Sequence, residues 1–184
     1  MYLAGYDIPK AAQAVAYFAL KSGGSINVLK LSKLMYLAER ESMKRYDSPM
    51  FYDELFSMPD GPVASITLNF IDGHNEDAIW SQFVLPRSGY DISAVKDLSM
   101  AKLDNLSAAD IEIFDDLWKQ FGALDRYDLR NWTHKKENIP EWKDPNGSSI
   151  SIKHKDVFNY LGKDGLSLEK DVEEYRQLSK SLAK

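Results

Sequence analysis

The chain contains no cysteine. That excludes disulfides, thiolate nucleophiles, cysteine-ligated zinc and thiol redox chemistry, and it agrees with a reducing compartment. No segment approaches the roughly 20 consecutive apolar residues that a membrane span needs. The first residues, Met1 to Asp7, lack the basic stretch and apolar run of a targeting signal, so a cytoplasmic protein with no membrane partner is expected. Histidine is scarce, with three in all, His74, His134 and His154. The usual carriers of catalysis are missing as well: there is no Gly-x-x-x-x-Gly-Lys loop, no Gly-x-Gly-x-x-Gly, no His-Glu-x-x-His and no Gly-x-Ser-x-Gly turn. No catalytic residue, cofactor or metal is therefore expected. Basic residues are also in deficit: 23 Lys and Arg against 28 Asp and Glu give a net charge of −5, which opposes wholesale binding to a phosphate backbone.

What is present describes an ordinary globular chain. With 184 residues, 44% of them hydrophobic and 28% charged, it suits one domain over residues 1–184. Four Trp, ten Tyr and eight Phe supply large rigid groups for a core or an interface. Asp7 and Pro9 open a helix whose pattern Ala12, Val15, Ala16, Ala19 stops at Gly23-Gly24. A second helix carries the apolar stripe Leu31, Leu34, Met35, Ala38 and ends near Tyr46, before Ser48-Pro49. Pro59-Asp60-Gly61-Pro62 is a turn that presets a helix reaching Ile71. Two stretches, Trp80 to Leu85 and Tyr90 to Val95, flank Pro86-Arg87-Ser88-Gly89 and predict a β-hairpin. Ser107 and Asp110 form a capping box for a central core helix bearing Phe114, Leu117, Trp118 and Phe121, with Gly122 as its stop. A short helix over Asp128 to Trp132, a loop over Asp144 to Ser149 and helices near Val157 to Leu161 and Leu168 to Leu182 complete a mainly α fold (α+β) with one small hairpin.

Several residue groups bear on function. Asp72, His74, Glu76 and Asp77 lie in a turn without calcium-loop spacing and read as a solvated loop, and His154, among lysines, reads as exposed. Thr133-His134 follows a helical turn and reads as a cap locking its loop to the core. Gly61-Pro62-Val63 reads as a turn orienting two helices, and Trp142, near Pro140, as a buried anchor. Lys33, Arg40 and Lys44 read as a solvated helix face. Tyr36, Arg40, Lys44, Phe51, Tyr52 and Phe56 combine aromatic and basic groups in the manner of an interface hot spot, and form the expected partner-binding surface.

The helix Leu31-Ser32-Lys33-Leu34-Met35-Tyr36-Leu37-Ala38-Glu39-Arg40, the segment Met58-Pro59-Asp60-Gly61-Pro62-Val63, and Leu129-Arg130-Asn131-Trp132-Thr133-His134 followed by Ile139-Pro140-Glu141-Trp142 together resemble the Panacea domain of SocA-like antitoxins. The likeness runs over nearly the whole chain. Two features depart from the pattern: Asp60 stands where an aromatic, Asn or basic residue is more usual, and the stretch from Lys135 to Ile139 is longer than the common form. The resemblance implies a noncatalytic antitoxin that binds and neutralises a toxin protein encoded nearby and hands it, as a proteolytic adaptor, to a Clp-type protease. On this reading Gly61, Pro62, Val63, Thr133, His134, Pro140 and Trp142 are structural or partner-binding. The alternative is a nucleic-acid-binding regulator or phage-associated accessory protein, motivated by the basic stripe and Lys135-Lys136.

Overall fold

Asp7 does cap the first helix of the computed structural model, which describes residues 5–182; the sequence reading of residues 1–4 lies outside them. The Asp7 carboxylate accepts the Lys10 N–H at 3.0 Å, and α1 (Ile8–Lys21) runs with Ala11 to Ala19 wholly or almost wholly buried. Gly23 and Gly24, both at positive φ, turn the chain into β1 (Ser25–Asn27). The Asn27 side chain then caps α2 (Val28–Tyr46) by accepting from the N–H groups of Leu29 and Lys30.

Helix α2 is the axis of the molecule. Residues Leu31 to Glu39 are all buried, because neighbours surround the helix: α1, β1 and, from later in the chain, residues 61–71, 108–121, 126–133 and 154–160 all pack against it. The amphipathic reading of this segment assumed one buried stripe and a solvated basic face. The structure corrects that: Lys33 is 0% exposed and only the last turns reach solvent. Polar side chains on the helix find partners inside the protein. Half-buried Lys30 donates from Nζ to the carbonyls of Gly122 and Leu124, both at 2.7 Å. Glu39 accepts the N–H groups of Phe51 and Asp53 at 2.7 and 2.8 Å.

After Asp53, β2 (Leu55–Met58) turns at Pro59-Asp60 into β3 (Gly61–Ala64), and α3 (Ser65–Ile71) follows. The turn expected at Pro59-Asp60 is present, but it joins two strands, and the helix starts only at Ser65. All four residues of β3 are buried against β2 and α2, so extended pairing wins over the helix start that Pro62 would allow. Asp53 then takes the first free N–H groups of the helix, accepting from Ile66 and Thr67 at 2.7 and 2.9 Å.

The hairpin expected over Trp80 to Val95 is present only as fragments. Trp80–Gln82 is a turn of 3-10 helix, drawn in by stacking of Trp80 on Phe70 at 4.8 Å. Isolated bridges join Val84 to Ala94 and Ser88 to Asp91. The one regular strand here, β4 (Asp91–Ser93), pairs antiparallel with β1.

Helix α4 (Ala108–Phe121) has the predicted capping box of Ser107 and Asp110. It buries one face, Ile113, Phe114, Leu117 and Phe121, and exposes the other, so it flanks the core that α2 centres. Phe114 is fully buried against Tyr17 and Phe18, at 5.2 Å from each ring. Trp118, expected in the core, is only half-buried and lies under the ammonium of Lys30. Phe114→Ala is therefore expected to lower stability by about 3 to 5 kcal/mol, and Trp118→Ala by roughly half as much. Urea denaturation of the two variants checks the order.

The chain closes with α5 (Arg126–Thr133), β5 (Ile150–Ile152), α6 (His154–Tyr160) and α7 (Gly165–Leu182). Strand β5, absent from the sequence reading, completes an antiparallel sheet of order β3-β2-β5. Helix α7 buries Gly165 and Val172 and is held by Arg176, which donates to the carbonyls of Tyr52 and Asp53 at 3.1 Å.

Candidate partner-binding site

The separated motifs meet on one side of α2. Gly61 sits at φ +102°, a conformation that side chains rarely adopt, and a Cβ there would stand 2.9 Å from Thr133 Oγ1 and 3.2 Å from Lys33 Cε. Glycine is thus required twice, by backbone shape and by contact. Beside it Lys33 Nζ donates to the Pro62 carbonyl at 3.0 Å. Thr133, 0% exposed, donates back to the Arg130 carbonyl at 2.8 Å. Asp60 accepts from Arg130 Nε at 2.9 Å, which ties the turn to α5.

His134 is the C-terminal cap of α5 and links that helix to the hairpin turn. Its Nδ1 lies 2.7 Å from the Arg130 carbonyl oxygen and its Nε2 3.0 Å from that of Pro59. The ring packs against Trp142 at 4.3 Å. Trp142 in turn donates from Nε1 to the Met58 carbonyl at 3.2 Å, so the residues after the long Lys135 to Ile139 stretch return to the same turn, with Ile139 fully buried and Pro140 half-buried.

Glu141 completes the joint. Its side chain is 0% exposed and accepts from Tyr36 Oη at 2.7 Å and Arg40 Nε at 2.6 Å. Burial, followed by the adjacent carboxylate, pushes the Tyr36 hydroxyl well above the usual phenol range, so it stays a neutral donor. The sequence reading passed over Glu141 because a single carboxylate between Pro140 and Trp142 carries no spacing signal.

These placements correct the expected partner surface. Tyr36 and Phe51 are 0% exposed, so neither can touch a partner of the folded protein. Arg40 is committed to Glu141. Tyr52 and Phe56 are half-buried, and Tyr52 stacks on Tyr175 at 3.9 Å. Only Lys44 of the six is openly exposed. The aromatic and basic residues that looked like a hot spot belong to the hub helix and the turn that wraps it.

The surface that the motifs do build is a cleft of about 750 Å³. Val28, Met58, Val63 and Leu68 line it together with Lys33 and Asp60, and Arg87, Tyr90, Arg126 and Tyr127 stand around it. Tyr90 and Tyr127 are 78% and 54% exposed. Removal from water pushes the Lys33 amine down to about 7, with Asp60 opposing and Arg130 reinforcing the shift. The Arg126 guanidinium lies 4.9 Å from the Tyr127 ring, and its charge helps hold the neighbouring Asp125 carboxyl below the usual range, after the N–H groups of Asp128 and Tyr127. Arg87 and Tyr90 were read only as parts of the expected hairpin, Arg126 and Tyr127 lay in no motif, and only the fold brings the four together.

The remaining histidines divide. In the loop after α3, Asp72 pairs with Arg87 and Asp77 caps the 3-10 turn, accepting from Ile79 and Trp80; His74 is exposed. His154, expected in solvent, is 6% exposed. Burial, with Arg176 nearby, pushes its imidazole down to about 4. The folded protein thus resists a proton that the unfolded chain accepts near pH 6.5, so this contribution is intact above that pH and is lost as pH falls toward 4. The loss amounts to about 3 kcal/mol. Stability of His154→Phe measured by denaturant titration across that window should lack this component, and an identical pH dependence in both proteins would contradict the assignment.

Among the described residues no helix is long and apolar enough to cross a membrane. A family model described as "Antitoxin SocA-like, Panacea domain" matches residues 31–143, well over half of the chain and the whole of the joint from Lys33 to Trp142. No curated protein and no solved structure matches.

Proposed function

Because the chain belongs to the SocA-like antitoxin family with its Panacea domain, we propose that it acts by binding and neutralising a toxin protein encoded nearby, without catalysis of its own. The observation that carries this reading is the coincidence of the matched span with one structural unit: its residues fold into the joint around α2 and form much of the wall of the adjacent cleft. In this role the protein also serves as an adaptor that delivers the bound toxin to a Clp-type protease. The nucleic-acid reading loses its main support, since Lys33 and Arg40 of the basic stripe are occupied inside the protein.

Co-expression tests the proposal. The neighbouring reading frame, expressed alone, should arrest growth, and co-expression of this protein should restore it, with the two proteins purifying together. Undiminished toxicity with both proteins soluble would rule out neutralisation. The adaptor role adds a second readout: the toxin's half-life should lengthen in cells lacking the protease, and an unchanged half-life would remove that part alone.

A further inference from the structure

The chain's net charge is −5, yet the cleft beside the joint is lined by more basic side chains than acidic ones. Lys33, Arg87 and Arg126 line it against one carboxylate, Asp60, and that carboxylate is already paired with Arg130. The three cations are not equally engaged. Arg87 spends Nε on the Gly89 carbonyl and Nη1 on Asp72. Arg126 has no carboxylate partner among the described residues and lies across Tyr127, which holds its guanidinium in place at the rim.

Lys33 is the most deeply buried of the three. Among the described residues its buried amine has a single hydrogen-bond partner, the Pro62 carbonyl, where an ammonium offers three donors. A lysine buried without a carboxylate destabilises the protein that contains it, whereas a methionine of similar length would fill the same space. Val28, Val63 and Leu68 line the same cleft together with Tyr90 and Tyr127, and Tyr90 is mostly in water. Exposed Tyr and Arg around an apolar floor are the groups that dominate binding energy in protein interfaces.

We infer that this cleft is the docking groove for an acidic segment of the partner protein, with carboxylates meeting Arg126 and Arg87 and apolar side chains resting on Val28, Val63 and Leu68. This rests on the toxin-neutralising reading for the identity of the partner, but the acidic chemistry follows from the groove alone. A phosphate backbone fits less well, because it is bound by many clustered Lys and Arg side chains, and of the lining basic groups Arg87 is already paired with Asp72 and Lys33 is buried.

The test has two arms. In the first, hexaglutamate and hexaglutamine are titrated into the full-length protein while amide NMR signals are followed. Hexaglutamate should shift Val28, Leu29 and Tyr127, and hexaglutamine should not; equal shifts from both peptides, or none, would overturn the inference. In the second arm, affinity for the neighbouring toxin is measured for wild type, for Arg87→Gln with Arg126→Glu, and for Tyr127→Ala. The double variant should bind on the order of 100-fold more weakly and lose most of its salt dependence, with an unfolding temperature close to wild type. Tyr127→Ala, which leaves both arginines in place, should also bind more weakly and guards against a folding artefact in the double variant. Unchanged affinity in both variants would place the toxin elsewhere and sink the docking assignment. If wild type binds no toxin while hexaglutamate still shifts the groove, the neutralising role fails and the acidic groove stands. Displacement of hexaglutamate by duplex DNA, or a dimer in sedimentation that the double variant loses, would instead assign the groove to nucleic acid or to a second copy of this chain.

Discussion

Replacing Arg40 with glutamate is expected to unfold the protein or bring it close to unfolding. The Glu141 side chain is 0% exposed, and Arg40 is the cation it faces, at 2.6 Å. Removing one member of such a pair leaves an uncompensated buried charge, which costs about 3 to 5 kcal/mol, and the new carboxylate would add repulsion from Glu141 itself. A domain whose total stability is about 5 to 15 kcal/mol has little left after that. Arg40→Met, which keeps the packing of the side-chain stem, should fall between wild type and Arg40→Glu. Lys44→Glu, one turn further along the same helix and openly exposed, should stay within about 0.5 kcal/mol of wild type. Guanidinium denaturation of the three variants separates them, and a wild-type midpoint for Arg40→Glu would show that Glu141 is not held by this pair. The outcome also bears on toxin experiments, since loss of neutralisation in an Arg40 variant would report unfolding, not a lost contact.

Asp53→Ala is expected to do comparable damage from the other side of α2. The Asp53 carboxylate is 0% exposed and accepts four hydrogen bonds, from the N–H groups of Glu54, Ile66 and Thr67 and from the Thr67 hydroxyl. Alanine would leave three backbone donors without a partner in the interior, at about 1 to 3 kcal/mol each when no water enters. Several of them relax together, so a total near 4 kcal/mol is expected. Asp53→Asn keeps the shape and one acceptor oxygen and should cost less. Hydrogen exchange localises the effect: the Ile66 and Thr67 amides should lose protection before the rest of the core. If those amides stay protected in Asp53→Ala, the carboxylate is not what starts α3. Burial pushes Asp53 up to about 6 and Glu39 up to about 7. Both contribute most stability at low pH and lose it as pH rises through those values, opposite in sign to His154.

The sequence was most legible where a local rule acts without competition. Asp7 with Pro9, the Ser107–Asp110 box and Gly23-Gly24 each settle a helix end through nearest neighbours, and those ends lie where the spacing puts them. Legibility failed where the decision is made across the chain. Pro62 suits a helix start, yet pairing with Ser57 keeps it in a strand. The stretch Ile150 to Ile152 is too short to show a period, and it becomes a strand because β2 has an open edge. Lys33 and Arg40 follow a helix-surface pattern, and no pattern within α2 shows that five other helices surround it. At the site, the joint of Gly61, Thr133, His134 and Trp142 was readable as a set of motifs. Its neighbours in the cleft, Tyr90 and Tyr127, come from separate loops and helix ends that only folding brings together.

The central strand of the sheet has a consequence for how the protein comes into being. Strand β2 forms one hairpin locally with β3, but its second neighbour, β5, is translated much later, and the partners Tyr36 and Glu141 are 105 residues apart. Interactions across such separations raise the loop-closure barrier and slow folding. While the ribosome is still making the segment before Glu141, the hub helix carries a phenol and a guanidinium with no acceptor, and β2 presents an unpaired edge. The amino-terminal half therefore waits in a partly assembled state, prone to association through that edge, until about residue 152 emerges and the sheet can close. Closure of the sheet is thus timed by the emergence of β5, not by the folding of α2 itself.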